Sequence, residues 1–257
     1  MLTEKRQEEI LNLLEQKGSV TVQELKEKFQ ASESTIRRDL NVLHKKGALL
    51  KVFGGAVQAE TRLNMKEEEV ALRMAQNREE KIKIARYAAS LIEPEDFIYL
   101  DAGTTTGYMI SYITQYSASF VTNAVSHALQ LAENGFRVTL IGGELKAATE
   151  AIVGNEAYVN LKKYHFTKSF LGTNGVNLIS GFTTPDINEA MIKECAMEHS
   201  QKPYILCDSS KFHKTGPVSF GEMHRAKIIT NEQPDEAYAA FGNILVVKEE
   251  TQFIREF

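Results

Sequence analysis

Two groups of polar residues have types and spacings that suit contact with phosphate groups. At roughly 100° per residue, Ile36, Leu40 and Leu43 would share one face of a helix. The other positions of this region carry the first group, which consists of hydroxyl, amide and cationic side chains: Ser32, Ser34, Thr35, Arg37, Arg38, Asn41, Lys45 and Lys51. Arginine and asparagine hydrogen-bond to base edges, and lysine contacts backbone phosphates. The pattern predicts a helix that packs with one face and contacts double-stranded DNA with the other.

The second group lies in loops that follow predicted strands. One loop places an acid, a glycine and three hydroxyls at the start of a predicted helix: Asp101, Gly103, Thr104, Thr105 and Thr106. Backbone N–H groups at a helix start favour an anion, and Lys211 in another such loop adds a positive charge. Asn123 and Gly172 follow two further strands. Glycine and threonine are ordinary turn residues, so their recurrence after successive strands is what indicates a site for a phosphorylated ligand.

The elements that would carry the first group are three helices and a hairpin within residues 1–57. Thr21 and Glu24 have the spacing of a capping box at the start of the second helix. Ser32 is the predicted N-cap of the third helix. A short helix, a tight turn and a longer helix with exposed cations are typical of a helix-turn-helix. Residues 49–57 predict two short strands joined at a glycine pair, so we expect a winged helix-turn-helix DNA-binding domain.

The sequence from residue 83 to residue 257 predicts alternating strands and helices. Seven apolar strand candidates occur at Phe97–Leu100, Ser119–Thr122, Arg137–Ile141, Ser169–Gly172, Tyr204–Cys207, Ile228–Thr230 and Ile244–Val247. Such alternation is typical of an α/β domain with a mainly parallel sheet, which binds ligands outside the carboxyl ends of its strands. We therefore predict an effector-binding domain over residues 83–257. Residues 58–82 are charged and lack proline and glycine, which favours a helical linker that either is merely solvated or transmits the effector signal.

The composition favours a regulator over a nonspecific nucleic-acid binder. The net charge is −4, but residues 33–53 carry five lysines and arginines against two acids, and phosphates respond to the local charge. The two cysteines show no metal-ligand spacing to the histidines, so we expect free thiols, no metal and no cofactor. The sequence has no apolar run of 18 residues and no signal peptide, which predicts a cytoplasmic protein without a membrane segment.

The N-terminal segment resembles the DeoR family of bacterial sugar-responsive repressors. The matching positions are Arg6, Ile10, Leu14, Ser32, Thr35, Ile36, Arg37, Arg38, Asp39 and Leu40. The wing departs from the family pattern, because Phe53 stands where the family usually has a histidine before Gly-Gly-Ala. The remainder resembles the DeoR effector domain, whose fold is related to ribose-5-phosphate isomerase. The resemblance implies a repressor that binds operator DNA as a homodimer or homotetramer and responds to a phosphorylated sugar.

The resemblance also implies roles for particular residues of the effector domain. Phosphate contacts fall on residues 103–105, on residues 208–211 and on Lys81, for which a plain solvated lysine is the alternative. Contacts with sugar hydroxyls fall on Asp186 and Glu189. The alternative for these two acids is that they only balance a helix dipole.

Catalysis is the main alternative to sensing. The isomerases carry an Asp-Gly-Ala-Asp segment where residues 172–175 of this chain are Gly-Thr-Asn-Gly, without a carboxylate. Isomerisation of a sugar phosphate needs a paired acid and base, so we predict no catalytic residues and keep a residual isomerase as the alternative. Segments 144–154, 170–175 and 181–186 are similar to those of fructose-operon repressors, which implies fructose 1-phosphate as the effector. Tagatose, galactitol and amino-sugar phosphates are the alternative effectors.

Overall fold

The computed structural model describes residues 3–17, 19–46, 48–52, 54–58 and 70–247 of the chain. Its N-terminal part consists of three helices and three short strands: α1 (Thr3–Lys17), β1 (Ser19–Thr21), α2 (Val22–Phe29), α3 (Glu33–Lys45), β2 (Leu49–Val52) and β3 (Gly55–Gln58). The strands form an antiparallel sheet in the order β1-β3-β2. The predicted winged helix-turn-helix is confirmed, with β1 as a strand that we did not predict.

Side-chain caps explain where α2 and α3 begin. Thr21 Oγ1 accepts a hydrogen bond from Glu24 N at 3.1 Å, and Glu24 Oε2 accepts one from Thr21 N at 3.3 Å. This is the predicted capping box. Ser32 Oγ accepts a hydrogen bond from Thr35 N at 3.2 Å at the start of α3. The two helices are thereby held around a turn that spans residues 30–32.

A small apolar core joins the three helices to the sheet. Its buried members are Ile10, Leu14, Val20, Val22, Leu25, Ile36, Leu40, Leu43, Leu49 and Ala56. The set includes the three apolar positions that we predicted for the inner face of α3. Phe53, which departs from the family pattern, lies outside the described residues. Because the apolar stripe of α3 packs inward, its polar stripe is presented to solvent.

The C-terminal part is an α/β domain. Its helices are α4 (Val70–Ala75), α5 (Arg78–Ser90), α6 (Thr104–Met109), α7 (Val125–Glu133), α8 (Asn155–Leu161), α9 (Ile187–Glu198) and α10 (Glu236–Ala239). Its strands are β4 (Phe97–Leu100), β5 (Ser119–Thr122), β6 (Arg137–Leu140), β7 (Glu144–Lys146), β8 (Ala151–Val153), β9 (Phe166–Gly172), β10 (Gly175–Asn177), β11 (Gly181–Thr184), β12 (Ser200–Leu206), β13 (Val218–Gly221), β14 (Lys227–Thr230) and β15 (Ile244–Val246). Short 3-10 turns occur at Ile110–Tyr112, Ser209–Lys211 and Met223–Arg225.

Seven strands form one parallel sheet in the order β15-β14-β12-β9-β4-β5-β6. They are the seven strands that the sequence predicts, so the α/β architecture is confirmed. Along β4, Tyr99 belongs to a core cluster shared with α8 and α9, whereas Ile98 and Leu100 belong to a second cluster shared with α5 and α6. Successive side chains of a strand point to opposite faces. Helices therefore cover both faces of the sheet.

Two smaller sheets were not predicted. Strands β7 and β8 form an antiparallel pair, and β10, β11 and β13 form a three-stranded antiparallel sheet. Their short strands, such as Glu144–Lys146 and Gly181–Thr184, lack the alternation that marks a half-buried strand. Strands β7 and β8, and likewise β10 and β11, are neighbours in sequence and pair as hairpins. Strand β13 lies more than thirty residues after β11, so this third pairing depends on the tertiary fold.

The predicted linker is described only in part, because residues 59–69 lie outside the described residues. Residue 58 ends β3, α4 spans residues 70–75, and α5 begins at residue 78. The two helices are separated at Asn77, whose φ of 49° is left-handed. Across the described ranges, no helix is both long enough and apolar enough to cross a membrane.

Candidate functional site

The outer face of α3 brings the predicted DNA-contacting residues together. Thr35 is half-buried, and the other seven are exposed: Ser32, Ser34, Arg37, Arg38, Asn41, Lys45 and Lys51. Ile36 and Leu40 on the inner face have no exposed surface. The helix therefore separates its packing face from a polar, mainly cationic face, as expected.

Contacts within the domain already orient several of these side chains. The Arg37 guanidinium lies 2.7 Å from the Glu33 carboxylate, and both side chains are about half exposed, at 48% and 51%. Lys51 Nζ, on the wing strand β2, donates a hydrogen bond to Asn41 Oδ1 at 2.8 Å. The wing and α3 thus share one polar surface. Because an exposed ion pair contributes little to stability, a DNA phosphate can replace Glu33 as the partner of Arg37.

The hydroxyls at the start of α3 are used for the cap. Ser32 Oγ lies 2.9 Å from Ser34 Oγ and 2.8 Å from Thr35 Oγ1, in addition to its bond with Thr35 N. Ser32 and Thr35 therefore hold the helix start, as predicted for Ser32, and their contact with DNA stays a prediction. Ser34 remains exposed beside them.

A buried ion pair beneath α3 was missed. Arg6 Nε of α1 lies 2.6 Å from Asp39 Oδ2 of α3, and Gln7 Nε2 donates to Asp39 Oδ1 at 3.2 Å. We counted Asp39 against the positive charge of the outer face, but only 2% of this residue is exposed. Its charge is balanced inside the domain. The signal was available in the sequence, because an acid on the apolar side of a predicted helix needs a buried partner.

A second site lies at the carboxyl ends of β4, β9 and β12, which are neighbours in the parallel sheet. A cavity there is lined by four cations and two carboxylates, together with loop hydroxyls and an amide: Arg73, Lys81, Lys193, Lys211, Glu189, Asp208, Thr104, Thr105, Thr173 and Asn174. Lys81 is only 3% exposed and Lys193 only 5%. Cations held at such low exposure strongly favour an anionic ligand, because little water screens their charge. We call this cavity the effector pocket.

Lys193 is a residue of the pocket that sequence reasoning missed. Its ammonium forms a buried ion pair with the Asp101 carboxylate and donates a hydrogen bond to Gly172 O at 3.2 Å. Asp101 Oδ2 also accepts a hydrogen bond from Gly172 N at 2.9 Å. The signal was helical spacing, since Lys193 follows Glu189 by one turn of α9. Asp101 is thus an anchor between strand ends, and it does not line the cavity.

Thr106 and Asn123 shape the loop behind the pocket, which corrects our expectation that they contact the effector. Thr106 Oγ1 donates to the carbonyl of Asp101 at 2.7 Å and accepts from Gly103 N at 3.0 Å. Asn123 Oδ1 accepts from Ala102 N at 2.9 Å. Both side chains are buried. These hydrogen bonds fix the conformation of the loop, in which Thr104 and Thr105 line the cavity.

Of the two acids that we expected to contact the sugar, only Glu189 lines the pocket. It accepts a hydrogen bond from Thr184 Oγ1 at 3.4 Å. Asp186 instead caps α9, accepting from Glu189 N at 3.0 Å, and pairs with Lys146 at 3.1 Å. Burial opposes ionisation of Asp186, but these contacts hold its pKa below the usual range. For Asp186 the alternative of a helix-capping acid therefore fits the geometry better.

The remaining predicted residues lie at the pocket. Lys81, Gly103, Gly172 and Lys211 all line it. Gly103 and Gly172 belong to adjacent strand ends, and a Cβ added at Gly172 would lie 3.8 Å from Gly103 Cα. The two loops therefore approach closely between the cations. Asp208, at the entrance to the Lys211 turn, is buried and accepts a hydrogen bond from Ser210 N at 3.1 Å.

Comparison with known proteins identifies both parts of the chain. Residues 6–62 match the DeoR-like helix-turn-helix domain, and residues 76–232 match the DeoR C terminal sensor domain. Among solved structures, ribose 5-phosphate isomerase A from Methanocaldococcus jannaschii aligns with 53% of this chain and 55% of that chain, with a TM-score of 0.39 and 14% identity. Similarity of this size does not indicate a shared activity.

Curated relatives align along most of their length. The uncharacterized HTH-type transcriptional regulator FruR of Bacillus subtilis (strain 168) is 41% identical over 96% of this chain and 98% of that protein. The HTH-type transcriptional regulator IolR of the same strain is 33% identical, covering 88% and 90%. A lactose phosphotransferase system repressor from Staphylococcus epidermidis is 36% identical, covering 90% and 92%. The two domain matches and this similarity show that the chain belongs to the DeoR family of DNA-binding transcriptional regulators.

Proposed function

We propose that the protein represses a sugar-catabolic operon by binding operator DNA, and that a sugar phosphate in the effector pocket releases it. The observation that carries this proposal is the convergence of four cations on one cavity beside the hydroxyls of Thr104 and Thr105. The outer face of α3 and the wing supply the surface for DNA. As in other regulators of this kind, we expect a homodimer or homotetramer in the cytoplasm.

The pocket suits a phosphate better than a neutral sugar. Lys81 and Lys211 enter from α5 and from the turn after β12, so they approach the loop of Thr104 and Thr105 from different elements. Helix α6, which begins in this loop, has only six residues, so its dipole adds little. The lysine charges and the loop donors supply most of the attraction. Thr173, Asn174 and Glu189 are then available for the hydroxyls of the sugar.

The pocket lacks the arrangement that isomerisation needs. A paired acid and base must reach adjacent carbons of the sugar. Of the two carboxylates that line the cavity, Asp208 is held by Ser210 and by Asn77, whose Nδ2 donates to it at 2.9 Å. Glu189 is itself paired with Lys146 at 3.4 Å, so neither carboxylate among the described lining residues is free to act as a base. These contacts support a sensor over a residual isomerase.

Fructose 1-phosphate is the effector that we propose. The support is the similarity of segments 144–154, 170–175 and 181–186 to fructose-operon repressors, together with the 41% identity to FruR. Repressors for other sugars are similar at a comparable level, such as the 36% identical lactose phosphotransferase system repressor, and the alternatives that the family resemblance implies remain tagatose, galactitol and amino-sugar phosphates. The proposal of a phosphate pocket does not depend on which sugar carries the phosphate.

A thermal-shift panel tests both levels. Fructose 1-phosphate should stabilise the protein, by about 2.7 kcal/mol at 100 times its Kd, and unphosphorylated fructose should not, because it offers no charge to the lysines. The matched variant Thr104→Val removes one hydroxyl and should reduce the shift. Equal shifts from fructose and fructose 1-phosphate would contradict the phosphate site. A shift only with another sugar phosphate would keep the phosphate site and identify that compound as the effector. A coupled assay that detects turnover of ribose 5-phosphate would favour the isomerase.

A further inference from the structure

Helix α4 lies against the effector pocket, although it belongs to the segment that leads to the DNA-binding domain. In sequence, only residues 59–69 separate α4 from the wing strand β3. Arg73 of α4 lines the cavity together with Thr104, Lys193 and Lys211. One wall of the pocket is therefore supplied from the region that we predicted to be a linker.

The guanidinium of Arg73 has a hydrogen-bonding requirement that the described residues do not meet. Arg73 Nε is buried, and no described residue accepts a hydrogen bond from it. Arginine remains protonated at physiological pH and only donates hydrogen bonds. Because buried polar groups are nearly always paired, this N–H needs an acceptor beyond the described residues. An anion in the pocket is such an acceptor.

Side chains of the pocket elements also hold the C-terminal end of α4. Lys81 Nζ donates a hydrogen bond to the main-chain carbonyl of Arg73. The Tyr108 hydroxyl, from the helix that starts at the threonine loop, donates to Met74 O at 3.0 Å. The same elements thus form the phosphate site and position α4.

The turn after α4 is tied to the other side of the pocket. Asn77 Nδ2 donates to Asp208 Oδ1 at 2.9 Å and to Ser210 Oγ at 3.2 Å. Both acceptors lie within the three residues before Lys211. By contrast, Leu72 of α4 is 60% exposed, and a helix of six residues is not stable alone. These polar contacts, more than buried apolar surface, therefore fix the position of α4.

We propose that Arg73 binds the phosphate of the effector and thereby couples occupancy of the pocket to the position of α4. The inference rests on the proposed function, because it assigns the regulation of the same site. An ammonium has three N–H donors, so Lys81 can hold the Arg73 carbonyl and the phosphate together. The bound ligand then joins both the side chain and the main chain of Arg73 to the pocket. Because α4 is the first described helix after the wing strand β3, a change in its position alters operator affinity.

Arg73→Ala and Lys211→Ala separate coupling from binding. Calorimetry measures the affinity for fructose 1-phosphate, and gel shift measures operator affinity without ligand and at saturating ligand. Both variants should bind the ligand about 10-fold or more weakly, because each loses a charge-assisted contact. At saturation, Lys211→Ala should release operator as fully as the parent. Arg73→Ala should stay bound to operator even when saturated, because its ligand no longer contacts α4.

Arg86→Ala is the matched control. Arg86 is an exposed arginine of α5 whose guanidinium lies 5.1 Å from the centre of the Tyr112 ring, and it does not line the cavity. The variant removes the same charge from the next helix, and it should leave both measurements unchanged. The melting temperature of each variant without ligand checks that the fold is intact.

Several outcomes would overturn the assignment of Arg73. Unchanged ligand affinity in Arg73→Ala would remove it from the pocket, and full release of operator at saturation would remove its coupling role. If no sugar phosphate binds the parent but inorganic phosphate stabilises it against heat, the proposed effector fails and the Arg73 assignment stands only if Arg73→Ala abolishes that stabilisation. If neither sugar phosphates nor inorganic phosphate stabilise the parent, both proposals fail.

Discussion

The outer face of α3 and the effector pocket both bring cations together, but in opposite environments. Arg37 and Lys45 on α3 are exposed, whereas Lys81 and Lys193 in the pocket are 3% and 5% exposed. Exposed cations are screened by salt and attract any phosphate backbone. Buried cations are fixed by their partners, and their charge acts through a less polar medium. The first arrangement suits a long polymer, and the second suits one small anion of defined shape.

The buried ion pair of the pocket gives the largest expected effect. Lys193→Ala leaves the Asp101 carboxylate buried without its cation, and breaking a buried pair in this way typically costs about 3–5 kcal/mol. Urea unfolding measures the loss. The double variant Lys193→Ala/Asp101→Asn should recover part of it, and Arg37→Ala, which breaks the exposed pair of α3, should barely change the unfolding free energy. An equal loss of unfolding free energy in Lys193→Ala and Arg37→Ala would contradict the contrast between a buried and an exposed site.

Lys211→Ala tests whether the pocket acts on the effector alone. The loss of one charge-assisted hydrogen bond is worth roughly 1.5–3 kcal/mol, or about 10- to 150-fold in effector affinity. Operator binding without effector should be unchanged, because the two affinities are linked only through the conformational equilibrium. A gel-shift titration should therefore need far more sugar phosphate to release DNA. Release at the parent's effector concentration would make Lys211 an ordinary surface lysine.

Arg38→Ala on α3 is the converse test, because it should weaken operator binding and leave effector binding unchanged. Loss of a base contact typically costs about 1–3 kcal/mol of operator affinity, while the fold and the affinity for sugar phosphate should remain. Arg37→Ala should weaken operator binding as well, and by less, because Arg37 must first leave Glu33. Binding is measured at several salt concentrations, since loss of a phosphate contact also lowers the salt dependence. Unchanged operator affinity in both variants would exclude this face of α3 from DNA binding.

The smallest expected effect is a pH-dependent loss of stability that comes from a buried histidine near Asp101. Burial lowers the pKa of His127 on α7 to about 4, although the negative charge of Asp101 acts to raise it. An unfolded histidine titrates near pH 6.5, so the unfolded state takes up its proton first as the pH falls. Stability should therefore drop by about 1 kcal/mol between about pH 6.5 and about pH 5.5, as measured by urea unfolding. His127→Gln should lose this drop, and His44→Gln, which changes an exposed histidine of α3, should keep it.

The sequence predicted elements well where burial leaves a pattern in the chain. The central strands of the parallel sheet are largely buried, so they appear as apolar runs such as Phe97–Leu100. The helix starts at Thr21 and Ser32 were predictable because a cap uses side chains within three residues of each other. Local interactions of this kind can be inferred without the fold.

The features that were missed depend on distant partners. Strand β1 has three residues and pairs with β3, which lies beyond two helices. Lys193 and Asp39 are charged residues on helices, and such residues are usually solvated. Helical spacing gave a weak signal for each, but their partners Asp101 and Arg6 lie far away in the sequence. Thr106 and Asn123 were assigned to the effector because sequence shows residue type and loop position, and the direction of a side chain depends on the fold.

The strand order of the parallel sheet has a consequence for how the chain matures on the ribosome. The winged helix-turn-helix closes its sheet within residues 19–58, whereas β4 in the second domain must wait for β9, and β9 for β12. Contacts between segments distant in sequence form slowly, and domains fold N-terminal first during synthesis. Lys211 emerges after all of these strands. A nascent chain therefore acquires its DNA-binding head before the pocket that would control it, so freshly made molecules pass through a stage that ignores the inducer.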